Sequence, residues 1–194
     1  MRTPKRTFLI LVSIALSGAA PLFAGSSTAN DEQSLWQALA DGGHVALMRH
    51  AMAPGTGDPP QFVLGDCRTQ RNLSEQGRVQ ANDLGDRFRA NGITSAQVIS
   101  SQWCRCLETA RLLDLGGVEP NQALNSFFRD NTEESERTAA ALAMIRSETN
   151  ADRPMVLVTH QVNITALTGI FPASGEIVVV RPSADGIETI GRIR

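Results

Sequence analysis

Lysine is nearly missing from this chain. Lys5 stands alone among 194 residues, so every other fixed positive charge is an arginine. A compositional bias accounts for this, and no function is drawn from it. An excess of positive charge is missing too. The formal net charge is −2, which makes nucleic acid and anionic membranes poor partners. The apolar stretch Phe8–Leu16, broken by Ser13, falls well short of the roughly 20 residues a membrane span needs. Cysteine is scarce: Cys67, Cys104 and Cys106 show no CxxC spacing, which is weak evidence for a metal site. Internal repeats, linkers and low-complexity segments are absent as well, which argues for one domain.

What is present starts with the amino terminus. Arg2, Lys5 and Arg6 precede the apolar run, and the small residues Ser17–Ala20 follow it. That order is the layout of a secretory signal. Residues 1–24 are therefore expected to be removed, with the cut anywhere from 24 to 29. Ala24 is a poor site because Leu22 lies upstream, whereas Ser26 and Ala29 have small neighbours. Cleavage removes three cations and no acid, which moves the net charge from −2 to −5. The mature protein, with its single domain over residues 31–194, is expected in the periplasm or outside the cell, without stable membrane insertion. An oxidising compartment makes a disulfide plausible. Cys104 and Cys106 are too close to bridge comfortably, so Cys67 pairs with one of them and one thiol is left over.

A 42% apolar and 20% charged composition is that of a foldable globular domain. The pattern predicts a helix over Asp31–Ala40 and a buried strand over His44–Met48. Ser74 caps a helix whose apolar stripe is Val79, Leu84 and Phe88, stopped at Asn91-Gly92. A strand at Val98–Ser100 precedes a helix over Cys104–Leu115, ended by Gly116-Gly117. Asn121–Thr132 reads as irregular. Glu133–Glu148 reads as a helix with Ala139, Leu142, Ala143 and Ile145 inward. Met155–Val158 is a strand and Val162–Thr168 a helix closed by Gly169. Asp185-Gly186 joins the last two strands as a hairpin. Strands alternating with helices imply an α/β fold, a mostly parallel sheet flanked by helices on both faces, with the hairpin as an antiparallel edge.

His50 and His160 each follow a predicted strand directly, and sites in open α/β sheets form beyond the carboxyl ends of strands. Ser100 ends another strand and Arg105 opens the helix after it. His44 starts a strand, away from that edge, and is read as structural. Arg49, His50, Arg105 and His160 suit a phosphate monoester. A neutral imidazole is a competent nucleophile. Arginine holds phosphoryl oxygens through a planar fork of donors. This chemistry needs no metal or other cofactor.

Four segments carry a resemblance. Leu47-Met48-Arg49-His50-Ala51 resembles the Arg-His signature of the histidine phosphatase superfamily, the phosphoglycerate mutase-like fold. Asn72–Arg78 resembles its Leu-Thr-x-x-Gly-Arg helix start. Ser100–Arg105 with Thr109-Ala110 resembles its Ser-Ser-x-x-x-Arg…Thr-Ala segment. Val156–His160 resembles the late strand that ends in a second histidine. The likeness runs from about His44 to Gly169. It implies that His50 is the nucleophile and that Arg49, Arg105 and His160 bind the phosphoryl group. Arg71 is a further candidate for the same pocket.

The family's proton donor is missing from both of its usual places. Leu124-Asn125 is followed by Ser126, where one branch has glutamate. His160 is followed by Gln161, where the acid phosphatase branch has aspartate. The nearest substitutes are Asp130 and, second, Glu133, with Glu134 beside them. The plainer alternative is that these acids merely favour a helix N-terminus. The leading expectation is an exported phosphomonoesterase acting on a small phosphorylated metabolite or envelope sugar phosphate. The alternatives are a phosphate-ligand binding domain with weak or no turnover and a protein phosphohistidine phosphatase. The loop Ala51–Thr69 is expected to shape specificity.

Overall fold

The computed structural model describes residues 27–149 and 152–194. The segment read as an export signal, residues 1–24, lies outside them. Helix α1, Ser27–Ala40, starts four residues before the expected Asp31 and leads into strand β1, Val45–Arg49. A long loop separates β1 from α2, Glu75–Ala90. Then come β2, Gln97–Ser100; α3, Cys104–Leu112; and β3, Val118–Pro120. Helix α4, Glu134–Glu148, precedes β4, Met155–Thr159, and α5, Gln161–Thr168. Strands β5, Ile177–Ser183, and β6, Gly186–Ile193, finish the chain.

The six strands form one sheet in the order β3-β2-β4-β1-β5-β6. The first four are mutually parallel, and the hairpin β5–β6 adds an antiparallel edge beside β1. Alternation along β1 feeds two cores. Ala46 and Met48 face a cluster with Leu35, Trp36 and Leu39 of α1, Leu84 and Phe88 of α2, and Ala110 of α3. Val45 and Leu47 face Ala141, Met144 and Ile145 of α4 and Ile164 of α5. Helices thus cover both faces, and β1 and β4 read as continuous apolar runs for that reason. Burial of each large side chain contributes about 1.5–3 kcal/mol. Phe88, 1% exposed, also meets Trp36 edge-on at 5.0 Å.

The start of α2 sets the geometry of the loop before it. Ser74 Oγ accepts the Gly77 N–H at 3.0 Å, as a cap should. At Gly77 a Cβ would collide with the Met52 carbonyl, so the bare backbone lets α2 close against the chain leaving β1. Gln80 ties the same region together, accepting from Met52 N–H and donating to the Ser174 carbonyl.

Four expectations about elements need correction. Val79 is 51% exposed; Gly77, Ala81 and Gly85 complete the buried face of α2 instead. Helix α3 ends at Leu112, three residues early, because Asp114 takes a left-handed φ of 51° and turns Leu113 and Leu115 inward. Strand β3 forms at Val118–Pro120, where no strand is expected. In α4, Ala139 and Ala143 face solvent, while Ala141, Met144 and Ile145 are buried.

Candidate active site

Strands β1 and β4 run side by side with Arg49 level with Thr159. The residues that follow, His50 and His160, therefore emerge together although 110 positions apart. The His50 N–H donates to the Thr159 carbonyl at 2.9 Å. The two rings lie 5.5 Å apart and are only 2% and 3% exposed. Arg105, in the first turn of α3 beyond β2, is equally buried and reaches both rings. Its Nε donates to His50 Nε2 at 3.2 Å, and its Nη2 lies 3.4 Å from His160 Nδ1. The sheet thus converts three distant segments into one cluster.

Arginine cannot accept a hydrogen bond, so these contacts assign the tautomers. His50 carries its proton on Nδ1, which donates to the Ala51 carbonyl at 2.7 Å, and presents a lone pair on Nε2. His160 carries its proton on Nε2, directed at Ser101 Oγ at 2.8 Å, and Ser101 in turn donates to Asn125 Oδ1. Burial, and then the Arg105 charge, push the His50 pKa down to about 3. The same causes hold His160 well below the ordinary range. Both imidazoles are neutral at physiological pH.

A cavity of about 270 Å³ opens onto this cluster. Arg49, Arg71, Arg105 and Arg129 line it, with Trp103, Phe128 and Phe171. Arg49 Nη1 donates to the Pro172 carbonyl at 2.8 Å, and its buried Nε has no protein partner among the described residues. Burial and Arg105 lower the Arg49 pKa, and the same two causes bring Arg71 to about 10. Arg71 holds the β1–α2 loop through the Gly57 carbonyl, at 2.7 Å, and the Ala53 carbonyl. Among the described residues, the lining carries four guanidinium groups against one carboxylate, an excess of positive charge.

The expected acids do not come to it. Asp130 is exposed, and its Oδ1 caps a 3₁₀ turn by accepting from Thr132 N–H at 3.0 Å and Thr132 Oγ1 at 2.6 Å. Those bonds hold its carboxyl below the usual range. Glu133 pairs with Arg137 at 2.9 Å, one turn along, and Glu134 is also exposed. None of the three lines the cavity, so the helix-terminus alternative describes them. Ser126 and Gln161, the family's two acid positions, do line it, without a carboxyl. Among the described residues one carboxylate lines the cavity: Asp58, from the Gly-Asp-Pro-Pro turn of the loop. It forms a bidentate pair with Arg105, at 2.7 and 3.1 Å, and accepts from Trp103 Nε1 at 3.0 Å and Arg71 N–H at 3.2 Å. Sequence reasoning passed over it. The available signal was an acid inside the loop expected to shape specificity.

The disulfide joins Cys67 to Cys104, with Cα atoms 5.7 Å apart. It fastens the β1–α2 loop to the residue just before Arg105. Cys106 is the leftover thiol. It is fully buried, 3.4 Å from His160 Nε2, and burial pushes its pKa up to about 12, so it has no thiolate character. Among the described residues no group of three or more His, Cys, Asp or Glu side chains could hold a metal ion.

Two parallel strands, each delivering a histidine into an arginine-lined cavity, define the site of this α/β fold. Residues 45–127 match the sequence model of the histidine phosphatase superfamily (branch 1), and the likeness of this chain to that family holds in both sequence and fold. No curated protein sequence matches. Several solved structures share the fold. The protein histidine phosphatase SixA complexed with tungstate is 14% identical, with a TM-score of 0.55 over 77% of this chain and 96% of that one. Phosphoserine phosphatase from Entamoeba histolytica, in complex with 3-phosphoglyceric acid, is 13% identical with a TM-score of 0.56, covering 78% and 96%. A mycobacterial glucosyl-3-phosphoglycerate phosphatase complexed with VO₃ is 16% identical with a TM-score of 0.54, covering 75% and 96%.

Proposed function

We propose that this chain is an exported phosphomonoesterase that works through a phosphohistidine on His50. One observation carries the reading: the unprotonated Nε2 of His50 faces a cavity lined by four arginines. A phosphoryl group held by Arg49, Arg105 and Arg71 has its charge neutralised before attack. The lone pair on His50 Nε2 forms a bond to phosphorus as the ester P–O bond breaks. The Nδ1–H···O=C bond to Ala51 fixes the ring and supports the positive charge it gains. Water then breaks the P–N bond and releases inorganic phosphate. His160 and Arg105 close the far side of the phosphoryl site.

The substrate class we assign is a small phosphorylated metabolite or an envelope sugar phosphate. The exposed rings of Phe128 and Phe171 at the mouth offer an apolar surface to its organic part. The fold relatives named for phosphoserine and glucosyl-3-phosphoglycerate phosphatases support a small ester. Export is supported by the basic-then-apolar start of the chain and by the Cys67–Cys104 bridge, which suits an oxidising compartment. The acid-free positions Ser126 and Gln161 favour a second reading. In it, the protein handles groups that leave without protonation, as a phosphohistidine phosphatase does, or binds phosphate esters without turnover.

The test uses purified protein, p-nitrophenyl phosphate and a panel of sugar phosphates, with EDTA present. Turnover is expected, with a trapped phosphoenzyme that acid hydrolyses, and His50→Ala abolishes both. Phosphate binding without turnover on any substrate would establish the binding-domain reading instead. Turnover confined to phosphohistidine would establish the phosphohistidine phosphatase.

A further inference from the structure

The cavity lacks an acid at both places where the family keeps one, yet it is not without a carboxyl. Asp58 enters from the loop, its side chain 5% exposed. Its partners differ in kind. Arg105 contributes two charged donors, whereas Trp103 Nε1 and Arg71 N–H are neutral. The Arg105 guanidinium touches the nucleophile through Nε and Asp58 through Nη1 and Nη2. Nucleophile and carboxyl therefore stand at opposite edges of one planar group. Both also line the same cavity, so a group bound there has the nucleophile and a carboxyl within one space.

Building on the phosphatase reading above, we propose that Asp58 is the catalytic acid and base of this site, seated on Arg105 until a phosphoryl group takes its place there. Arg105 cannot serve both partners fully. A bound phosphate ester takes over the donors of Arg105, while Trp103 and Arg71 keep Asp58 at the cavity wall. In the free protein burial pushes this carboxyl up, but the Arg105 pair and the other donors hold it below the usual range. Losing the guanidinium and gaining an adjacent dianion both favour its protonated form.

The proton balance then closes. As His50 Nε2 bonds to phosphorus, the ester P–O bond breaks and protonated Asp58 gives its proton to the departing alkoxide oxygen. The Asp58 carboxylate next takes a proton from the water that attacks the phosphohistidine. The P–N bond breaks, its electron pair returns to Nε2, and phosphate leaves. Asp58 ends protonated, as it was at the start of the displacement.

Aryl phosphates of graded leaving ability test this in wild type, Asp58→Asn, Asp58→Glu and His50→Ala. General acids contribute about 10²–10⁴-fold. In the first turnover, phenol release from phenyl phosphate by Asp58→Asn should slow at least about 100-fold, against less than about fivefold for 2,4-dinitrophenol release from its phosphate. Retained first-turnover release from the activated ester shows that the variant folds. Asp58→Glu should recover part of the phenyl phosphate rate. Equal losses on both esters, or a gain on both, overturn the role of Asp58 while leaving His50-dependent hydrolysis intact. Absence of His50-dependent turnover in wild type overturns the hydrolase reading and this role with it.

Discussion

At the scale of single residues, the two buried imidazoles govern how the protein responds to acid. An unfolded histidine takes a proton near pH 6.5, whereas folded His50 does so only near pH 3. Between those values the unfolded chain binds protons that the folded one does not, so stability is complete above about pH 6.5 and falls as pH drops. His50 alone accounts for a loss of about 2 kcal/mol by pH 5. Thermal unfolding at pH 7 and pH 5 should show a smaller drop for His50→Gln than for wild type; an equal drop would reject the assignment. His50, His160, Arg49 and Arg105 were legible in the sequence because each stands at a strand end or helix start whose pattern is local. Asp58 was not. It lies in a glycine- and proline-rich turn with no periodicity, and its address depends on Arg105, 47 residues further on.

Among the elements, the β1–α2 loop has the least regular structure and the most chemistry. Apart from the 3₁₀ turn at Cys67–Thr69, its order comes from fastenings. These are the Cys67–Cys104 bridge, the Arg71 contacts to carbonyls and the Gln70 side chain, which accepts from Cys104 N–H at 3.0 Å. Cys104→Ser should lower stability by about 2–4 kcal/mol. Denaturant unfolding with and without reductant checks this: wild type should respond to reductant and the variant should not. The secondary structure that escaped the sequence shares a cause with the loop. Strand β3 is three residues long and mostly exposed at the sheet edge, too short for a repeat to show. Alanine marks no face of α4, so Ala139 and Ala141 could not be told apart until α4 docked on the sheet. The early end of α3 is a tertiary effect as well. Leu113 and Leu115 gain burial by leaving the helix, and Arg89 donates to the freed carbonyls of Leu113 and Asp114.

For the whole molecule, the alternation of strand and helix was enough to read the architecture, since covering both faces of a parallel sheet forces apolar strands and amphipathic helices. Strand order was not readable, because no local pattern tells β4 to enter between β1 and β2. The export proposal is tested at this scale. Expression of the full chain in a Gram-negative host should yield a periplasmic product beginning between residues 25 and 30, read by amino-terminal sequencing; an intact Met1 in the cytoplasm would reject it.

Because β4 lies between β1 and β2, the proposed catalytic apparatus cannot exist in halves. A ribosome-bound chain that stops before Met155 already contains His50, Arg105 and Asp58, but the central slot between β1 and β2 is empty and His160 is not yet made. On the phosphatase reading proposed above, a nascent chain therefore has no activity toward phosphate esters until β4 takes that central place.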